Sequence, residues 1–277
     1  MIVDKIYEYL SDKNKTIDEA LRYEVEKIAG VIFKRQFMSE TNEVEKGTIR
    51  LSSVGRCPRQ TAYMFHGFER NGKEIDSRAR IVFWTGDLAE MTIIALGKAA
   101  GCQIYASGLQ QQRIHLIANG FSIPGHPDGI HIDDDNKVRL IEVKSMSSYG
   151  FELFQNNKID FSYIAQINAY MEAKKLDETI MIAYNKDSGI LSERIIKKDD
   201  NVVKEINNNI LLIINSSPES LPEPPGEYEP NSKGFYAWQC LYCPYWGHCR
   251  TDAEKVLVGK SYKLKRRDNG LHKDKHE

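Results

Sequence analysis

The chain has no apolar run of the roughly eighteen residues that a membrane-spanning helix requires. Its first residues also lack the charged, apolar and small-residue succession of a secretory leader. Together these absences predict a cytoplasmic protein with no membrane partner. Net charge is missing too, with 38 Lys and Arg against 39 Asp and Glu. That balance excludes nucleic-acid binding by bulk electrostatics, so any such contact has to come from a local patch. Cysteines are few, five in 277 residues, and their clustering in a reducing compartment argues for metal rather than disulfides. Of nine prolines, five fall within 216–230 and mark that stretch as a non-helical connector. The length suffices to bury a sizeable core, as one large domain or as a core with an appendage.

What is present centres on residues 125–145, which read G-H-P-D-G-I-H-I-D-D-D-N-K-V-R-L-I-E-V-K-S. Apolar and polar residues alternate on both sides of the acidic turn, which predicts a β-hairpin. Side chains two apart on a strand share a face, so Glu142 and Lys144 stand together while Val143 turns away. Leu140, Ile141 and Val143 give that arm the apolar setting of a buried central strand. A buried carboxylate and amine must be paired or must bind a cation. Asp128 and Glu142 supply hard oxygens, with the Val143 carbonyl as a third ligand, a set suited to Mg²⁺ or Mn²⁺. Lys144 would then lie beside a water on that ion, placed to orient or deprotonate it for attack on phosphorus. The plainer alternative is a Glu142–Lys144 ion pair on an exposed strand, with Asp128 in a turn.

Pro127-Asp128, thirteen intervening residues and Glu142-Val143-Lys144 resemble the PD-(D/E)XK nuclease signature. Gln166-Ile-Asn-Ala-Tyr170 is similar to the Q-x-x-x-Y element of the RecB-like branch. That branch includes recombination-repair subunits, phage exonucleases and CRISPR-adaptation nucleases of the Cas-four type. The resemblance covers roughly residues 50–250. It implies that Asp128, Glu142 and Lys144 are catalytic, and that Gln166 and Tyr170, neighbours at i and i+4 on a helix, steady the site or its substrate. Many relatives carry G-x-x-H-E on a preceding helix. Here Gly86 and Glu90 match but Ala89 replaces the histidine. That departure leaves Glu90 either as an assisting acid, acting through a water, or as a surface helix residue.

The remaining chain reads as follows. Residues 1–46 show helical periodicity interrupted at 11–15, predicting two amphipathic helices without chemistry of their own. A long helix is expected over 78–100, a strand pair or one long strand over 103–116, and helices over 160–175 and 200–214. A second hairpin is expected from 179–184 and 190–196. Residues 145–151 are small and polar with aromatics at the end. They read as a loop, or as a gate in which Tyr149 stacks on an unpaired base. Lys186, at a strand end, and Arg56 and Arg59, beside Cys57, are candidate DNA contacts. His126 and His131 flank Asp128 without an assigned role, and Cys102 reads as a buried free thiol. Residues 255–277, with Lys263, Lys265, Arg266 and Arg267, read as a basic tail, disordered or forming a final helix.

Cys240, Cys243 and Cys249 form a C-x2-C-x5-C triplet among aromatics. Cys57, at the entry to a short helix predicted over 60–65, is the obvious fourth ligand. Spacing alone admits zinc, with Cys₄ or with Cys₃ and His248, or an iron–sulfur cluster. The iron–sulfur subgroup of RecB-like nucleases has one cysteine before the core and such a triplet after it. The resemblance therefore implies a 4Fe–4S cluster on Cys57, Cys240, Cys243 and Cys249, with a structural role in tying together distant parts of the chain.

The expected architecture is α/β: a restriction-endonuclease-like core with a mixed central sheet flanked by helices, a helical N-terminal segment and an Fe–S-tethered C-terminal appendage. The expected divisions are 1–46, 47–215, 216–254 and 255–277. The expected activity is metal-dependent hydrolysis of DNA, as an exonuclease on single-stranded or frayed ends. A different class of reading is a cluster-containing DNA-binding or scaffold subunit that does not cut, serving a recombination, replication or CRISPR-adaptation complex.

Overall fold

The computed structural model describes residues 1–38, 46–71, 77–259 and 261–267. In chain order the helices and strands begin with α1 (Ile2–Ser11), α2 (Glu19–Phe37), α3 (Pro58–Phe65) and α4 (Ser77–Ala99). Strands β1 (Gln103–Tyr105), β2 (Ile114–Ala118), β3 (Phe121–Gly125), β4 (Gly129–Ile132) and β5 (Val138–Met146) follow. Next come α5 (Ser148–Gln155), α6 (Phe161–Lys174), β6 (Glu178–Asn185), β7 (Leu191–Lys197) and α7 (Asp200–Ile214). The chain ends with α8 (Trp238–Tyr242), α9 (Trp246–Cys249), β8 (Ala253–Val258) and β9 (Ser261–Arg266). Among the described residues, no helix is long and apolar enough to cross a membrane.

The chain forms two compact units. The first comprises 1–44, 48–56 and 76–211, and the second 45–47, 57–75 and 212–277. The first is built on a mixed sheet of order β1-β4-β5-β6-β7. β4 and β5 are antiparallel across the acidic turn, with Gly129 opposite Ile141. β5 and β6 are parallel, with Glu142 opposite Met181. Parallel neighbours need a crossover connection, which α5 and α6 supply.

The expected hairpin is thus observed, and β5 is the central strand, buried from Leu140 to Val143. One sheet face buries Ile104, Ile141, Val143, Ile180 and Ile182 against Ile2, Val3 and Ile6 of α1 and Ile93 and Ile94 of α4. Period-two alternation turns Glu142 and Lys144 to the opposite face, where α5 and α6 pack on β5 and β6. A second hairpin, β2–β3, lies against α6.

Several elements depart from the sequence reading. Residues 103–116 are not one strand pair: β1 is short, a 3₁₀ turn spans Gly108–Gln110, and β2 pairs with β3, which the periodicity did not reveal. The expected loop at 145–151 is strand to Met146 and helix from Ser148, because the Ser147 hydroxyl accepts the Gly150 N–H and caps α5. Helix α3 starts at Pro58 rather than Gln60. Part of the two-helix expectation for 1–46 falls on residues 39–45, outside the described residues.

The second unit has its own small core of Tyr236, Cys240, Leu241, Ala253 and Leu264, with Trp246 packed against it. The expected disordered or helical tail is corrected here. Residues 253–258 and 261–266 pair as the antiparallel strands β8 and β9, in which Leu264 is buried and Val256 half-buried among exposed charged residues. Residues 268–277 lie outside the described residues. Tyr63 of α3 stacks on Tyr245 and on His248, with centroids 5.5 and 5.7 Å apart.

Candidate metal centre and cysteine cavity

Asp128 sits between the end of β3 and the start of β4, one residue before the β4–β5 ladder begins. Its Oδ2 accepts the Val143 N–H at 2.7 Å, taking the place of the ladder partner that β4 no longer offers. The N–H and C=O of one strand residue point to the same side of the strand. The Val143 carbonyl therefore faces the Asp128 side of β5. Glu142 is buried; its Oε1 takes an ion pair from Lys144 and a hydrogen bond from Gln166 Nε2 at 3.0 Å. Its Oε2 is buried with no hydrogen-bond partner among the described residues.

Gln166 is the hub of the site. Its amide donates to Glu142 and, at 2.9 Å, to the Tyr170 hydroxyl. Its Oε1 accepts from Lys144 Nζ at 3.4 Å. Tyr170 donates in turn to the His126 carbonyl at 3.2 Å, which ties α6 to the turn that presents Asp128. The Tyr170 ring fits because residue 125 is glycine: a Cβ there would stand 2.6 Å from Tyr170 Cε1 and 2.8 Å from Leu51. Lys144 Nζ lies 5.2 Å from the Tyr163 ring centroid.

The electrostatics show an excess of negative charge. Burial, then Glu142 and Glu90, push the Asp128 carboxyl well above the usual carboxylate range. Burial, then Glu142 and Asp87, push Glu90 up to about 7. Burial works against the Lys144 ammonium, but Glu142 and Asp128 outweigh it and hold Lys144 firmly protonated. Burial and the Glu142 charge raise the Tyr170 phenol.

Glu142, Lys144, Gln166 and Tyr170 are thus linked by hydrogen bonds or an ion pair, Asp128 is tied to the same strand through the Val143 N–H, and Glu90 of α4 joins them through its field. An unpaired buried carboxylate oxygen and two carboxyls that resist ionisation fit a divalent cation. As the side chains stand, no three His, Cys, Asp or Glu among the described residues are gathered to hold one ion. Two carboxylates and a backbone carbonyl, completed by waters, remain an Mg²⁺-type set.

Sequence reasoning missed the support of α4. Asp87, one turn before Glu90, accepts from Arg35 at 2.7 Å and from Gln36 Nε2 at 2.7 Å, both on α2. The N-terminal helices therefore brace the acidic helix, through pairings too distant in sequence for periodicity to signal. Arg56, Tyr149 and Lys186 are exposed, and no hydrogen bond or ion pair joins them to these carboxylates among the described residues.

The four triplet-and-partner cysteines all belong to the second unit. Cys57 caps α3, Cys240 lies in α8, Cys243 follows it and Cys249 ends α9. They line one cavity, together with Arg59, Tyr63, Trp246 and Arg250. Burial pushes the Cys240 thiol up to about 11 and the Cys243 thiol up to about 12. Cys57 and Cys249 are also raised by burial, and Arg250 pulls both down. Arg59 is a wall of this cavity and donates to Glu223 at 2.9 Å. Cys102 is buried in the first unit's core.

No protein-family model matches the chain, and no curated protein sequence matches it. Among solved structures, SSO0001 is similar at 17% identity, covering 82% of this chain and 95% of that one, with a TM-score of 0.44. LHK-Exo in complex with dAMP is similar at 20% identity, covering 61% and 86%, with a TM-score of 0.43. LHK-Exo is an alkaline exonuclease from Laribacter hongkongensis. A phage related exonuclease from Haemophilus somnus 129PT is similar at 14% identity, covering 61% and 93%, with a TM-score of 0.39.

Proposed function

We propose that the chain is a metal-dependent deoxyribonuclease whose centre is Asp128, Glu142 and Lys144. The observation that carries this reading is the divided Glu142 carboxylate. One oxygen is held by Lys144 and Gln166, while the other is buried and bare in the field of Asp128, whose carboxyl burial and Glu142 push above the usual range. A plain strand ion pair would satisfy both oxygens or leave them in water. Here the bare oxygen has the setting of a metal ligand.

Asp128, Glu142 and the Val143 carbonyl would hold Mg²⁺ or Mn²⁺. Such an ion supplies Lewis-acid polarisation of the phosphoryl group and makes water acidic enough to attack at neutral pH. The protein's own side chains do the rest. Lys144, kept protonated by its two acidic neighbours, is suited to orient the attacking water and to stabilise charge growing on the phosphoryl oxygens; it is not suited to serve as a base. Gln166 fixes both Lys144 and Glu142, and Tyr170 fixes Gln166. Water adds to phosphorus, the bond to one bridging oxygen breaks, and that oxygen leaves with a proton.

The narrower reading, an exonuclease on single-stranded or frayed ends, rests on the motif resemblance. So does a 4Fe–4S cluster on Cys57, Cys240, Cys243 and Cys249. Four cysteines lining one cavity supply the ligand set that either a cluster or a zinc ion would take, and the motif resemblance selects the cluster.

Replacing Lys144 by Ala is expected to slow cutting by about 10²–10³-fold while leaving DNA binding nearly intact. End-labelled substrates blocked at the 5′ or the 3′ terminus, digested with Mg²⁺ or Mn²⁺, give the rate and the polarity together. Cutting by the variant at the wild-type rate would refute the assignment.

A further inference from the structure

The cysteine cavity is walled by nitrogen as well as sulfur. Arg59 enters from the first turn of α3, Trp246 from α9, and Arg250 directly after Cys249. Both guanidinium groups are anchored through outer nitrogens. Arg59 Nη1 donates to Glu223 at 2.9 Å. Arg250 Nη1 donates to Glu229 and Nη2 to the Tyr228 carbonyl, both at 3.0 Å, and the group lies 4.7 Å from the Tyr236 ring centroid. Yet Arg59 Nε, Arg250 Nε and Trp246 Nε1 are buried and have no hydrogen-bond partner among the described residues.

Unpaired buried donors are rare, because a buried N–H without an acceptor loses the bond it had with water. Three of them belong to residues lining the same cavity as four cysteines. A neutral thiol is only a weak acceptor. Ionised or metal-bound sulfur is a strong one, and hydrogen bonds to cluster sulfurs are among the protein's levers on reduction potential.

We propose that Arg59, Trp246 and Arg250 donate N–H hydrogen bonds to the sulfur of an anionic group held by Cys57, Cys240, Cys243 and Cys249, and so set its reduction potential. The redox part rests on the cluster reading above. Reduction adds negative charge to the group, so each donor favours the reduced state. Removing one donor lowers the potential.

Trp246→Phe is the first test, since it keeps an aromatic ring against the core and removes the N–H donor. The full chain, purified anaerobically, is titrated potentiometrically. The variant is expected to hold the same iron and sulfide, with a reduction equilibrium about tenfold less favourable, close to 59 mV for one electron. An intact cluster with unchanged potential would overturn the proposal. Should Trp246→Phe fail to fold, Arg59→Lys keeps the charge, removes Nε–H and is read in the same way.

Zinc in place of iron would defeat the cluster reading while leaving the donors testable. In the Co²⁺-loaded chain, Trp246→Phe should move the sulfur-to-cobalt charge-transfer band to longer wavelength, and an unmoved band counts against the proposal. A chain holding neither iron nor cobalt defeats both.

Discussion

Glu90 shows at the scale of one residue what the acidic site costs the fold. Burial and its neighbours Glu142 and Asp87 push its carboxyl up to about 7, against an ordinary 4.5. Between those two values the folded chain keeps a proton that the unfolded chain has lost. Stability therefore falls as pH rises through that window, and the deficit is complete above it. In EDTA, Glu90→Gln is expected to raise stability by about 1–2 kcal/mol at pH 8 and by nothing measurable at pH 4.5. Urea unfolding at the two pH values checks this, and an equal effect at both would place Glu90 outside the cluster. Mn²⁺ should raise the wild-type Tm at pH 8 more than that of the variant. Four residues earlier, at the first position of the same motif, Gly86 has nothing within 4 Å of a built Cβ. Gly86→Ala is accordingly expected to stabilise α4 by about 0.5–1 kcal/mol. A loss of cutting alongside that gain, in the same preparation, would mean that substrate approaches the helix backbone there.

At the scale of elements, the site is held together by the fit of β3 against α6. Gly125 leaves room for the Tyr170 ring, and Tyr170 positions Gln166. Gly125→Ala should destabilise the chain by about 1–3 kcal/mol through overpacking. It should also slow cutting, because displacing Tyr170 loosens Gln166 from Glu142. Urea unfolding and end-labelled digestion on one preparation report both, and normal activity would show that the ring is not a support. Much of this level was legible in the sequence. The alternation around Glu142 and Lys144 defined β5 and its faces, and the i, i+4 spacing placed Gln166 beside Tyr170. What was not legible leaves no period. The Arg35–Asp87 brace joins residues remote in sequence, whereas the β2–β3 hairpin and the Ser147 cap on α5 rest on local turn and cap chemistry, Asn119-Gly120 and Ser147, that apolar periodicity does not carry. The β8–β9 hairpin was obscured because its basic residues dominate a strand whose single buried position is Leu264.

At the scale of the whole chain, the second unit is assembled from segments before and after residues 76–211 of the first, and its four cysteines come from both. Its own apolar core is small, and a small core gives little stability without a staple. The first unit instead buries a continuous sheet face under α1 and α4. The group proposed on the cysteines should therefore govern the second unit far more than the first. Cys249→Ala, or stripping the wild type with a chelator and an oxidant, is expected to cut amide protection about tenfold or more in α3, α8, α9, β8 and β9. Protection in β5, β6 and α6 should change little. Hydrogen exchange read segment by segment decides the matter. A uniform loss across both units would mean that the chain unfolds as one body, and no loss anywhere would mean that the cysteines hold nothing that the fold requires.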